Sequence, residues 1–287
     1  MRERDIKTHD GGKLALYTYG TEDAPGEHRV VLVGGAFLTA LIYRPFSIAL
    51  AKGLGEGWAV DVYDRRGRGK STAQPHNYSM ATEIADVRTI MDATGARNIL
   101  GHSLGGSVAL NAAQAFAGTW HEPGKLAVYD AAVNIDGSMD TNWLDAFASS
   151  VDQGNINLAL ARLKRGMHPG TALARVPEPV LAGLMAVVSR TKINRLFREL
   201  LPSGVGELKA AFEASGKASD FLVLPANTHF MVGKKSPQYY KVTATRLHAA
   251  VPGSTLEVSP KGFHGSVPAA VKELVTDISD YFMRPHG

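Results

Sequence analysis

No cysteine occurs in the 287 residues, and that absence removes disulfides, thiolate–zinc sites and a cysteine nucleophile together. It also fits a reducing compartment. The N-terminal stretch Met1–Lys7 is charged and lacks the apolar core a secretory signal needs. No uninterrupted apolar run reaches the roughly 18 to 20 residues of a membrane span, so a cytoplasmic protein without a membrane partner is expected. Charge of one sign is scarce as well: the net formal charge is +4 and the basic residues are scattered. Their densest cluster, Arg65-Arg66-Gly67-Arg68-Gly69-Lys70, falls in a turn after a strand. It reads as a hydrogen-bonding loop, and no nucleic-acid partner is expected. There is no G-x-G-x-x-G opening a helix and no metal-ligand spacing, so neither cofactor nor metal is expected. Repeats, low-complexity tracts and interdomain linkers are missing too.

What is present is the composition of an ordinary globular chain, 45% hydrophobic and 20% charged, long enough for one large α/β domain with an insertion. Strand and helix patterns alternate, which argues for a mainly parallel sheet covered on both faces. Lys13–Tyr19 alternates apolar and polar residues and reads as an outer strand. A continuous apolar run marks a buried strand at Arg29–Val33, and further strands are read at Trp58–Tyr63, Asn98–Leu100 and Lys125–Tyr129. Between them the spacing predicts helices over about 43–53, 80–94 and 104–116. From about Ile135 to Ala218 the rhythm breaks: helix-like segments follow one another without a strand pattern, and Pro169, Pro177, Pro179 and Pro202 act as breakers. The organisation expected is a core of residues 1–134 and 219–287 with 135–218 inserted as a helical cap over a pocket. Alternation resumes with strands at Thr228–Val232 and Thr255–Val258 and helices over about 239–250 and 269–282.

The chemistry gathers at Gly101-His102-Ser103-Leu104-Gly105-Gly106, a G-x-S-x-G sequence between a predicted strand and a predicted helix. A sharp strand-to-helix turn lifts a serine side chain above the sheet, and flanking glycines let the backbones approach. Because the helix starts there, the Leu104 amide and the helix dipole face any oxyanion formed at Ser103. A serine hydroxyl needs a base to take its proton. Of the ten histidines, His264 lies on a loop after the last predicted strand, at the same sheet edge as Ser103. His102 reads as a packing residue on the other side of the turn, and His229 as a strand residue. His9, His28, His76, His121, His168, His248 and His286 have no supporting context.

On these residues the chain resembles the α/β-hydrolase superfamily from end to end. Val30–Ala36, the turn Tyr63–Ser71, the Ser103 elbow and Gly262-Phe263-His264-Gly265 match in order. The resemblance implies an eight-stranded, mostly parallel sheet, a helical cap and a triad in the chain order serine, acid, histidine. It also implies a second oxyanion donor on the loop after the first central strand, the amide of Ala36, with Phe37 as the alternative. The usual acid position, about three residues past the glycine ending the strand after the cap, holds Ser236. A subset of the superfamily takes the acid from the strand after the nucleophile helix; that position here is Asp130, with Asp136 the main alternative and Asp220 a remote one. A serine at the elbow argues against the aspartate-dependent dehalogenases and epoxide hydrolases of this fold. The function expected is a serine hydrolase of an ester, thioester or lactone of a small molecule, acting through an acyl-enzyme. A non-hydrolytic acyl transferase, cyclase or lyase reusing the triad is the alternative, and a non-catalytic receptor a further one.

Overall fold

The computed structural model describes residues 1–188 and 192–285; residues 189–191 of the expected cap, and His286, lie outside them. Within the described residues eight strands form one sheet: β1 (Arg2–Lys7), β2 (Lys13–Gly20), β3 (Arg29–Val33), β4 (Ala59–Tyr63), β5 (Asn98–His102), β6 (Lys125–Tyr129), β7 (Thr228–Gly233) and β8 (Thr255–Ser259). Their order is β1-β2-β4-β3-β5-β6-β7-β8. Pairing is antiparallel only on either side of β2 and parallel from β4 to β8.

The central strands are apolar on both faces because both faces are covered. Val31 and Val33 of β3, Ile99 of β5 and Val128 of β6 pack against α2 (Met80–Thr94), α3 (Leu104–Phe116) and α8 (Gln238–Ala250). The alternate residues Val30, Leu32, Leu100 and Ala127 pack against α1 (Arg44–Leu54) and α9 (Lys272–Met283). This period-2 division is what a strand imposes, and each fully buried Val or Leu contributes about 1.5–3 kcal/mol. The helix signals act locally: α2 starts at a Ser79–Thr82 capping box and stops at Gly95, which takes φ +72°.

The sequence pattern left β1 unseen. Arg2–Lys7 has no apolar alternation, and every residue in it is exposed or half-buried. It is a strand because it pairs with β2, from Arg2 opposite Thr18 to Lys7 opposite Lys13, so β2 is second in the sheet, not outermost. Charged residues on such an edge also discourage pairing with another chain.

Between β6 and β7 the described residues contain no strand, only α4 (Leu144–Asp152), α5 (Ile156–Met167), α6 (Glu178–Val188) and α7 (Lys192–Glu213) with short connecting turns. One breaker behaves differently from expectation: Pro202 lies inside α7. The helix continues through it without the backbone hydrogen bond that proline cannot donate. The buried Glu207, farther along α7, pairs with Arg68 and lies 3.8 Å from Arg65, tying this helix to the turn after β4. Among the described residues, no helix is long and apolar enough to cross a membrane.

Candidate active site

Six segments bring polar groups to one edge of the sheet, each from the carboxyl end of a parallel strand, where open α/β sheets place their ligand crevices. Ser103 follows β5 with φ +56° and ψ −125°. That is a strained conformation for a residue bearing a Cβ. Its amide donates to Tyr129 O at 3.0 Å, while Ser103 O accepts from Gly106 and Ala132. The close approach needs glycine: a Cβ on Gly105 would lie 2.1 Å from Val33 O, and one on Gly35 would lie 3.0 Å from the Ser103 Cβ. As the first residue of α3, Leu104 has an amide with no intrahelical acceptor.

Beside the elbow runs the loop after β3. The Arg65 guanidinium donates to Gly34 O (3.2 Å), and that of Arg68 donates to Gly35 O (2.8 Å) and Leu38 O (2.7 Å). Arg65 also grips Glu83, and Arg66 grips Asp86 and Asp10. All three arginines are buried. The basic turn is thus a hydrogen-bonding loop that holds the loop carbonyls on one side. Ala36 lines the same cavity as Ser103 and Leu104, while Phe37 takes φ +58°.

His264 begins a short turn after β8. Its Nδ1 lies 3.2 Å from Asp130 Oδ2. Asp130 follows β6 with φ +47° and is fully buried. Its Oδ1 accepts from the Gly233 amide at 3.1 Å, and its Oδ2 also accepts from Ser236 Oγ at 2.5 Å. The serine at the usual acid position therefore donates to the aspartate from the neighbouring strand. Asp136 faces elsewhere, with Oδ2 accepting from the Ala218 amide at 3.3 Å. Asp220 accepts from the Lys217 amide at 2.7 Å.

His102 does more than fill space. Its Nε2 lies 2.9 Å from His264 O, and its Nδ1 lies 2.8 Å from the Tyr43 hydroxyl, which itself accepts from the Gly35 amide at 2.7 Å. A neutral imidazole with Nε2–H satisfies all three bonds, so His102 connects the loop after β3 to the His264 loop. His229 is a strand residue, with Nδ1 at 2.6 Å from Thr255 Oγ1 and its ring stacked on Tyr281. Burial pulls His102 from 6.5 down to about 3 and His229 down to about 4. The unfolded chain takes up these protons near pH 6.5 and the folded protein does not. Stability contributed by the neutral histidines is therefore present above pH 6.5 and lost as pH falls. Between about pH 7.5 and about pH 5 this amounts to about 2 kcal/mol per histidine. Denaturant unfolding of His229→Gln should show a fall about 2 kcal/mol smaller than that of the wild type over the same range. Asp86, raised to about 6 by burial, works in the opposite direction, but equally in both proteins. An identical pH slope in the two proteins would contradict this account.

Two side chains that the sequence did not single out complete the arrangement. The Tyr240 ring on α8 stacks on His264 at 4.7 Å and 8°, with its hydroxyl 3.3 Å from Nε2. Because the rings are parallel, that hydroxyl lies off the imidazole plane, and the in-plane lone pair of Nε2 is left for another donor. His168, at the end of α5, lines a cavity shared with Ser103 and His264. No local pattern marks either residue; both are brought in by packing between elements far apart in sequence.

Two cavities meet at Ser103. One, of about 20 Å³, is walled by apolar side chains including Trp143, Leu208, Phe212 and Tyr239. The other, of about 250 Å³, is bounded by Phe37, Leu38, Lys164, His168 and His264. Only the second approaches the size of a small-molecule site. Among the described residues, no three His, Asp or Glu side chains gather as a metal site.

A model of the Alpha/beta hydrolase family matches residues 30–272. No curated protein sequence matches the chain. Similar solved structures include an alpha/beta hydrolase from Sphaerobacter thermophilus, at 24% identity and TM-score 0.74, covering 98% of this chain and 100% of that one. A bromoperoxidase from Bacillus anthracis is 19% identical with TM-score 0.71, covering 99% and 100%. An enol-lactonase from Burkholderia xenovorans is 18% identical with TM-score 0.67, covering 99% and 100%.

Proposed function

The chain belongs to the α/β-hydrolase family, and on that footing we propose that it is a serine hydrolase of small-molecule esters, thioesters or lactones. The observation that carries the reading is Ser103 at a strained elbow, sharing a cavity with a histidine whose Nδ1 faces a buried carboxylate. Asp130 holds the tautomer with Nδ1–H, which leaves Nε2 as the base. Nε2 takes the proton as Ser103 Oγ bonds to the carbonyl carbon. The Ala36 and Leu104 amides face the resulting oxyanion. As the carbon–leaving-group bond breaks, His264 returns that proton to the departing oxygen or sulfur. Water then repeats the sequence, giving the acid and the free enzyme. Residues 135–218 serve as a cap on the core formed by 1–134 and 219–287, since Met167 and Phe212 from that segment line the cavities at Ser103. An enol-lactonase among the similar folds keeps cyclic esters within the substrate class.

A fluorophosphonate probe tests the reading, because it needs an activated serine and an oxyanion site together. We expect stoichiometric labelling, with the modified peptide containing Ser103. Labelling elsewhere, or none in folded protein, would refute the serine mechanism. Running the reaction in ¹⁸O-labelled water should place the label in the acid product; an unlabelled acyl product would indicate transfer to another acceptor.

A further inference from the structure

We propose that the larger cavity receives an anionic group, a carboxylate or a phosphate, carried by the leaving group of the substrate. The inference rests on the serine-hydrolase reading above and specifies its substrate class. The two cavities at Ser103 differ in chemistry. The smaller one is walled largely by apolar and aromatic side chains, whereas Lys164 and His168 line the larger one together with His264, and no carboxylate lines it among the described residues. Lys164 and His168 are four residues apart at the end of α5, a spacing that puts both on one face. Burial first, and then the charges of Lys164 and His264, lower the pKa of His168, so the positive charge on this wall is that of Lys164. A lysine in the last turn of a helix also complements the helix dipole. That role needs only a solvent-facing ammonium, whereas Lys164 lines the cavity that reaches the nucleophile.

The side of the substrate follows from proton transfer. His264 must deliver its proton to the departing oxygen, so the leaving group departs on the side of His264. The larger cavity contains His264 and the smaller one does not. The anion therefore belongs to the alcohol or thiol portion, while the small apolar cavity leaves room only for a short acyl portion such as acetyl.

Binding to Ser103→Ala protein, in which turnover of the ester is slowed on the order of 10³-fold or more, separates this proposal from the catalytic one. Calorimetry would compare 4-acetoxybenzoate, 4-acetoxyphenyl phosphate and the uncharged 4-acetoxybenzamide. At least one of the two anions should bind about tenfold tighter than the amide, between the small effect of exposed ion pairs and the larger one of buried pairs. Adding Lys164→Gln should abolish the preference, Lys164→Glu should reverse it, and Lys164→Arg should retain it, which guards against misfolding of a single variant. Phenyl hydrogen succinate, with its carboxylate on the acyl side, should gain no such advantage over its amide. Equal binding of the three acetates, a preference that survives Lys164→Gln, or an equal gain from the succinate would overturn the proposal. Fluorophosphonate labelling of the wild type is read separately. Anion preference without labelling would retain the charged cavity and remove the acyl chemistry.

Discussion

Ser103→Ala protein should fold as the wild type does and lose on the order of 10³-fold or more in ester turnover. The size follows from the division of labour at the site. Without Oγ no acyl-enzyme forms, and the residual rate comes only from the oxyanion donors and from binding. Folding should be spared because alanine keeps the Cβ that Ser103 already accommodates at φ +56°, so no new backbone strain arises. The Ser103 amide bond to Tyr129 and the carbonyl contacts to Gly106 and Ala132 are main-chain and survive the change. Steady-state kinetics with 4-nitrophenyl acetate, paired with a thermal unfolding midpoint, provides the check. Undiminished turnover in a protein with an unchanged midpoint would remove Ser103 from the mechanism.

Asp130→Asn should slow turnover on the order of 10³ to 10⁴-fold, as loss of the supporting carboxylate does in other triads. Asp130 accepts at both oxygens: from the Gly233 amide at Oδ1, and from Ser236 Oγ and His264 Nδ1 at Oδ2. An asparagine that keeps its carbonyl on Gly233 turns its NH₂ toward His264. The imidazole then accepts at Nδ1 and carries its proton on Nε2, where the base is needed. The loss should appear chiefly in kcat, because substrate contacts are untouched. Asp136→Asn is the control, since that carboxylate serves the Ala218 amide, and it should change turnover by less than about threefold, as surface substitutions usually do. A steep loss in Asp136→Asn with little in Asp130→Asn would reassign the acid.

Much of the architecture was legible because its signals are local. Buried parallel strands announce themselves as continuous apolar runs, as in Arg29–Val33 and Lys125–Tyr129. Caps and stops such as Ser79 and Gly95 mark a helix within a few residues. The elbow is local too: strand, glycine, serine, glycine and helix lie within ten residues, so the position of Ser103 at a sheet edge followed from the sequence pattern. The loops bearing His264 and Asp130 could be placed at that edge by the same count of strands. Strand β1 was invisible for the converse reason, since its conformation comes from pairing with β2 and from no pattern of its own. Likewise, a proline in α7 shows its helical neighbourhood only once the surrounding helix is packed.

What tertiary structure alone decided is which side chains converge. Residues 130, 236 and 264 come from loops after three different strands, and their separations depend on how β6, β7 and β8 lie side by side. The sequence could show that Ser236 lacks a carboxylate, but not that its hydroxyl donates to the aspartate of the adjoining strand. Tyr240 over His264, the bridge from Gly35 through Tyr43 and His102 to the His264 carbonyl, and Lys164 and His168 lining the cavity that contains Ser103 have the same origin. Each depends on long-range packing of side chains to within a few ångströms, and hydrophobic periodicity and turn chemistry specify elements, not the distances between them.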